Sequence, residues 1–599
     1  MTSFGRLAGQ AITQALAAYK GRVMRPLRKL GCAIVVRALV TSVLLAGCTQ
    51  QSASLTRPDA GAPDAGRSTR PSGTLRIAWP TEPEVLNAKL GAGGGVNEFY
   101  WVFNSYLTYR DFGGVPHPMI AQELPSQERG DWIVNSDGTM VTTYRLQPGV
   151  RWHDGAPLTA EDFVFAHQVY LDPDIPVRDR VPETLMSSVV ARDDHTLEIK
   201  WKQPYVQANA LGYQQLDPLP RHLLEAKFLT NRSSFMFGEE WTSGFIGMGP
   251  FRIERWVPGS QIVARANPDW VFGPPKLESV DIRIIPDATT QLANVLSGEV
   301  DLVSSPGIRP AEAAVAREQL VPRGEGYVKV WQSQIRFLAF QFREVPDWQR
   351  AVSDVRVREA IMHATDRQGL VDVLSSGLGA PADAFLAPVE PAFPEVDRAI
   401  RKYAYDPNRA LVLLADAGWH AGPAGGPVTN AAGQSLDLDL SSTSGGGGEQ
   451  EAAIITNSWK AAGINAAISI IPAVRQRDNE LRARFPAVSA TARTLSPENF
   501  VFTSKHVPTP EARWQGANRG SFSDSEVDRL QNVVLTSFDE RARHEATIEL
   551  HKRMSEVLGI GNLYYSAEVL IARSRVKGPI GEYGGQSGMS WNIFEWEVI

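Results

Sequence analysis

DGTMVTTYRLQPGVRWHDGAPLTAEDFVFAHQVY, residues 137–170, reads locally as a strand, a turn, a second short strand, another turn and a helix. Met140, Thr142, Tyr144 and Leu146 alternate to one face, as a half-buried strand requires. Pro148-Gly149 breaks that strand, and Asp154-Gly155 supplies a second tight turn. Thr159 stands three residues before Asp162, close to a capping box. Phe163, Ala166, His167 and Tyr170 then follow at helical spacing.

Working outward, the chain keeps supplying short strands and capped helices. Residues 73–78 (GTLRIA) read as a strand, as do residues 196–201. Residues 251–256 and 261–265 form a predicted hairpin that turns at Pro258-Gly259. Residues 280–285 (VDIRII) alternate as a further strand, 289–296 read as a helix, and Gly298-Glu299-Val300-Asp301 as a turn. A second block opens near Trp331, with a strand at 337–342. Asp354 caps a helix whose buried stripe is Val357, Ala360, Ile361 and Ala364. Asp406-Pro407 opens another, with Ala410, Leu411 and Leu414 facing inward and Gly418 ending it. A helix over 451–462 stops at Gly463, and 464–470 alternates as a strand. Helix followed by strand indicates an α/β region.

These segments together resemble the signatures of one large family, the extracytoplasmic solute-binding proteins of peptide-type ABC importers (solute-binding protein family 5). The stretch 137–170 is similar to that family's sequence of aspartyl-glycyl turn, strand, "FHDG", "LTAEDV" and aromatic helix. Residues 246–270 resemble its "GTGPY…W.PG…L.RNPDYW", residues 298–301 its "GEVD" and residues 354–360 its "DVRVRQA". The likeness covers about 73–577. It implies an α/β, bilobal periplasmic-binding-protein-like fold (type II, cluster C-like) with an extra subdomain inserted in the first lobe. By that likeness lobe I takes residues 73–331, with the insertion at about 116–245. Lobe II takes 332–555, and 556–599 return to lobe I, with hinge strands around Trp331 and Val557. The implied function is a receptor that captures a peptide or other small solute by hinge closure and hands it to the permease subunits of an ABC importer, as a monomer without a cofactor.

Bulk properties agree with an exported soluble body. At 599 residues the chain exceeds what one core usually serves. A net charge of −6 gives no argument for a nucleic-acid partner. The two cysteines, Cys32 and Cys48, both lie near the start, so the body can hold neither a disulfide framework nor a thiolate site. Arg22, Arg25, Arg28 and Lys29 precede an apolar run over 31–46 that is short for a membrane span and laid out like a secretory signal. It ends in Leu45-Ala46-Gly47-Cys48, which resembles a bacterial lipobox. Residues 1–47 are therefore expected to be a signal peptide, Cys48 the lipidated residue, and 48–72, rich in Ser, Ala, Pro and Asp, a disordered tether in the cell envelope.

Catalytic patterns are missing. No GxxxxGK[ST], GxSxG or HExxH occurs. Gly91-Ala92-Gly93-Gly94-Gly95 follows no convincing strand and reads as a turn or a close backbone approach. His153-Asp154 and His544-Glu545 read as turn hydrogen bonding and a solvated helix face, not as metal ligands. A secreted enzyme on a similar frame, or a receptor that senses without transport, remain the alternatives to import. The resemblance places ligand contacts in two regions. One is Asn97, Phe99, Tyr100 and Trp101, where aromatic faces would cover an apolar body; the alternative is that two of the three aromatics are core. The other is Arg493, Thr494 and Glu498. Peptide-binding relatives carry an aspartate a few residues before a "DP..F" or "EP..F" turn, and it pairs with the peptide's α-ammonium. Aligning Ser496-Pro497 with that turn puts Arg493 in its place. An arginine there repels an ammonium and favours carboxylate or phosphate.

Overall fold

Strand Thr74–Trp79 begins the described body and sits within a large mixed sheet. The computed structural model describes residues 71–90, 97–177, 180–422, 425–445, 447–476, 478–495, 500–512, 514–581 and 588–599. The signal, Cys48 and the tether lie outside these residues, as do the glycine run 91–95 and Glu498. No helix among the described residues is long and apolar enough to cross a membrane.

Among the described residues the sheet has eleven strands. Its order is Asn465–Ile471, Asp437–Thr443, Val488–Thr494, Gly326–Phe340, Ile560–Arg573, Leu302–Ser304, Thr74–Trp79, Ser279–Ile284, Gln261–Ala266 and Phe251–Val257, with Ala380–Pro381 beside Ile560–Arg573. Two long strands, Gly326–Phe340 and Ile560–Arg573, pair antiparallel and hold its centre. Their register shifts between Trp331 and Gln334, and again between Arg336 and Phe337. Separate cores lie along the sheet. Leu338 and Phe340 pack with Val357, Ile361, Leu414 and Trp459. Ile335 and Phe337 point the other way, into a core with Phe485, Phe502 and Leu550. That split follows from the two-residue period of a strand. Leu75, Ile77, Val280 and Ile282 build a third core with Phe99 and Trp596.

A four-stranded antiparallel sheet, in the order Trp132–Val134, Met140–Arg145, Thr196–Trp201, Met186–Asp193, carries its own core. Met140, Thr142, Tyr144 and Leu146 are buried in alternation, and Trp201 Nε1 donates to Thr142 Oγ1 at 2.9 Å. Helix Ala160–Leu171 starts where the sequence places it: the Asp162 carboxylate accepts from Thr159 N at 2.9 Å. The second short strand expected before this helix is reduced to an isolated bridge, Arg151 to Pro157.

The helices expected after Asp354 and Asp406 are Val355–Ala364 and Pro407–Asp416, each capped by the named aspartate. Two expectations shift. The strand read over 337–342 is the end of the much longer Gly326–Phe340. Val557 is the last residue of helix Glu540–Val557, and Glu568 of the following strand is what faces Trp331.

Candidate functional site

Strand Val488–Thr494 runs antiparallel to Gly326–Phe340, with Arg493 opposite Ile335, Thr491 opposite Phe337 and Ser489 opposite Ala339. Directly paired residues share a face. Arg493, Thr491 and Ser489 therefore stand on the side of Ile335 and Phe337, where a pocket opens beside the core. The recess and the open solvent at its mouth together come to about 620 Å³ free of atoms. Phe337, Phe485, Phe502 and Ile560, all nearly buried, lie behind it, and three arginines, Arg482, Arg493 and Arg519, line it from three different segments; the Arg482 guanidinium also donates to Gln476 O at 3.3 Å.

Each segment is held in place by identifiable contacts. Asp478 caps the short helix Asn479–Ala483 by accepting from Leu481 N at 2.9 Å. Gln341, fully buried at the end of its strand, donates from Nε2 to Ala483 O at 3.1 Å and Phe485 O at 2.9 Å. Arg482 and Phe485 are thereby fixed against the sheet. Phe342 N donates to Gly520 O at 2.8 Å, and a side chain at Gly520 would collide with Phe340 O. That close approach needs glycine and brings Arg519 to the pocket. The buried Asn518 secures the same turn, donating to Thr503 O at 3.0 Å and Phe522 O at 2.7 Å.

The electrostatics are one-sided. Burial, and then the positive charges of Arg482 and Arg493, push Arg519 down to about 9. Burial alone lowers Arg482. Among the described residues, no carboxylate offsets either shift. An arginine is ordinarily charged under all physiological conditions, so the pocket holds concentrated positive charge.

Of the other residues expected at the site, Phe99, Tyr100, Trp101 and Thr494 are not among those lining this pocket. Helix Asn97–Phe103 is internal, and Phe99, Tyr100 and Trp101 are each at most 2 % exposed. Phe99 packs edge-on to Trp79 at 5.4 Å, and Trp101 lies against Tyr106 at 4.8 Å and Tyr213 at 5.9 Å. All three rings are packed among other rings in this structure, and Asn97 contributes backbone to that helix. Thr494 alternates to the face opposite Arg493 and pairs with Gln334. Sequence reasoning missed Arg482 and Arg519. A signal was present: over residues 482–519, Arg482, Arg484, Arg493, Lys505, Arg513 and Arg519 are set against only Glu498 and Glu511.

Residues of both histidine pairs have hydrogen-bond partners of their own. Asp154 accepts from Ala156 N at 3.0 Å and lies 2.7 Å from His222 Nε2, and His544 Nε2 lies 2.9 Å from Glu395. Among the described residues no three His, Cys, Asp or Glu side chains cluster as metal ligands.

Comparison with known proteins places this architecture. The family model for bacterial extracellular solute-binding proteins, family 5 (middle) matches residues 116–508. The chain belongs to solute-binding protein family 5. Among its relatives is the oligopeptide-binding protein AppA of Bacillus subtilis, 23 % identical over 550 residues, which are 90 % of this chain and 94 % of AppA. The oligopeptide-binding protein of Thermus thermophilus complexed with a pentapeptide superposes with a TM-score of 0.69 at 23 % identity, over 88 % of this chain and 96 % of that one. NikA of Brucella suis in complex with Fe(III)-EDTA gives 0.71 at 20 % identity, over 88 % and 100 %. Family 5 relatives are exported binding proteins rather than enzymes, and the mixed α/β fold with its large sheet is theirs.

Proposed function

We propose that this family 5 protein is the lipid-anchored solute receptor of an ABC importer, working as a monomer and without catalysis. The signal over 1–47, lipid on Cys48 and a tether over 48–72 would keep it beside the membrane. Lobe I would take 73–331 with an insertion at about 116–245 and regain the chain over 556–599, and lobe II would take 332–555. Ligand would be held against the lobe II face that carries Arg493, and closure of lobe I would bury it before the protein meets its permease. Closure of this kind is a hinge motion in which ligand stabilises the closed population.

The observation that carries this reading is the Arg493 pocket, set on the sheet next to the break in register between Trp331 and Gln334 of the two central strands. An interrupted pairing in otherwise continuous strands is a natural place for a bend. Among the described residues lining the pocket there is no nucleophile with a base to activate it, as a hydrolytic site requires.

Native mass spectrometry of protein purified from its own cells should detect a co-purified small solute. Small-angle scattering before and after stripping that solute should show a smaller radius of gyration in the loaded form. Equal radii, with occupancy confirmed by mass, would remove hinge closure from the account.

A further inference from the structure

Arg482, Arg493 and Arg519 reach the same pocket from a short helix, a strand and a turn. The sequence separates them widely, and only the fold brings them together. Gln341 and Asn518, both buried, fix the segments on either side of the strand. The cluster is therefore built on rigid supports. Like charges so placed repel one another, and Arg519 feels that repulsion from both Arg482 and Arg493. Nearby, Arg343 is lowered by burial and by Arg484, and both stack on Trp514, at 5.0 and 5.9 Å. Arg484 is offset by Glu480 at 2.6 Å, whereas no ion pair is formed by Arg482 or Arg519 among the described residues.

We infer that this pocket takes an oxyanion ligand carrying at least two negative charges. The inference rests on the receptor reading above and gives that site its substrate class. A guanidinium presents a planar fork of donors that matches carboxylate and phosphoryl oxygens alike, so either group meets the requirement. A single negative charge would leave part of the repulsion between Arg482 and Arg519 standing. Two or more charges neutralise both and turn the repulsion into attraction. Free peptides are disfavoured at the same point, because the α-ammonium would face Arg482 and Arg519 and the α-carboxylate supplies only one charge.

The test uses the full-length processed protein, stripped of ligand, at about physiological ionic strength. Calorimetric titration with succinate, citrate, phenyl phosphate, inorganic phosphate, acetate and a C-terminally amidated pentapeptide reads affinity for each probe. Citrate or phenyl phosphate should bind at least tenfold more tightly than acetate or the amidated peptide. The balance between the two names carboxylate or phosphoryl as the preferred group. Arg519→Met and Arg482→Met should each weaken the best dianion at least tenfold while the ligand-free melting temperature holds or rises, since each removes a repulsion. The inference is overturned if the amidated peptide binds as well as the dianions, if no dianion binds, or if either variant leaves dianion affinity unchanged. Peptide binding with compaction in scattering would overturn it and leave the receptor reading standing. Dianion binding without compaction would do the reverse.

Discussion

Arg493 stands directly opposite Ile335 in the antiparallel pairing of the two strands, while its neighbour Thr494 pairs with Gln334 and turns to the other face. Adjacent residues with opposite directions make a sharp test of where ligand sits. Arg493→Asp reverses a charge inside the pocket and should weaken a bound dianion at least a hundredfold by titration calorimetry. Thr494→Ala should leave affinity within about twofold. If the two substitutions have equal effects, the ligand does not lie on the Ile335 side.

Arg336 lies on the far side of the same sheet in a buried charged group. Its Nε donates to Glu451 Oε1 at 2.8 Å, its Nη2 pairs with Glu451 Oε2, and Tyr564 Oη donates to Glu451 Oε1 at 2.9 Å. Glu451 is almost fully buried. Removing one partner of such a pair strands the other charge and costs roughly 3–5 kcal/mol, whereas replacing both with apolar groups is often neutral. Glu451→Ala should therefore lower stability by about that amount in chemical denaturation, and the Arg336→Met/Glu451→Leu double variant should recover most of it. A double variant as unstable as the single one would contradict the account.

Local pattern was the legible part of this fold. The alternation of Met140, Thr142, Tyr144 and Leu146, the Thr159–Asp162 cap and the aspartate caps at 354 and 406 depend on residues a few positions apart, and all appear in the structure. Long-range arrangement was not legible. Nothing adjacent to Arg482 or Arg519 indicates that both meet Arg493, because that meeting is made by Gln341 reaching 142 and 144 residues along the chain. Phe99, Tyr100 and Trp101 show the same limit from the other side. An aromatic run suits a ligand wall and a core equally well, and the rings of Trp79, Tyr106 and Tyr213 packed against it come from outside the run.

Asp217 is buried in the first half of the chain, and burial is the main cause that pushes its carboxyl up to about 7, opposed by the charge of Lys89. The ordinary value is 3.8. Because the folded form holds its proton more tightly, Asp217 supports folding at low pH, and that support is lost as pH rises from about 4 through 7. His153 and His551, both lowered to about 4 by burial, act with the opposite sign between 6.5 and about 4. Comparing a variant with the parent isolates the aspartate. Asp217→Asn should melt several degrees higher than the parent at pH 8, with the difference fading towards pH 4. An offset that does not change with pH would show that ionisation of Asp217 is not the cause.

Gln341 supports the segment that carries Arg482 and Phe485 and can be tested without touching a charge. Its amide donates to two carbonyls, at Ala483 and Phe485, and its Oε1 accepts from Arg343 N at 3.0 Å. Leucine has a similar volume but satisfies none of these groups, and each buried polar group left without a partner costs about 1–3 kcal/mol. Gln341→Leu should therefore lower the melting temperature and also loosen the segment that carries Arg482 and Phe485. The two effects separate in a titration. A purely structural role for Gln341 predicts reduced stability with unchanged affinity in the surviving folded protein. Positioning of Arg482 predicts in addition a loss of dianion affinity of about tenfold, and no further loss when Arg482→Met is combined with it. An additive double variant would show that Gln341 does not act through Arg482.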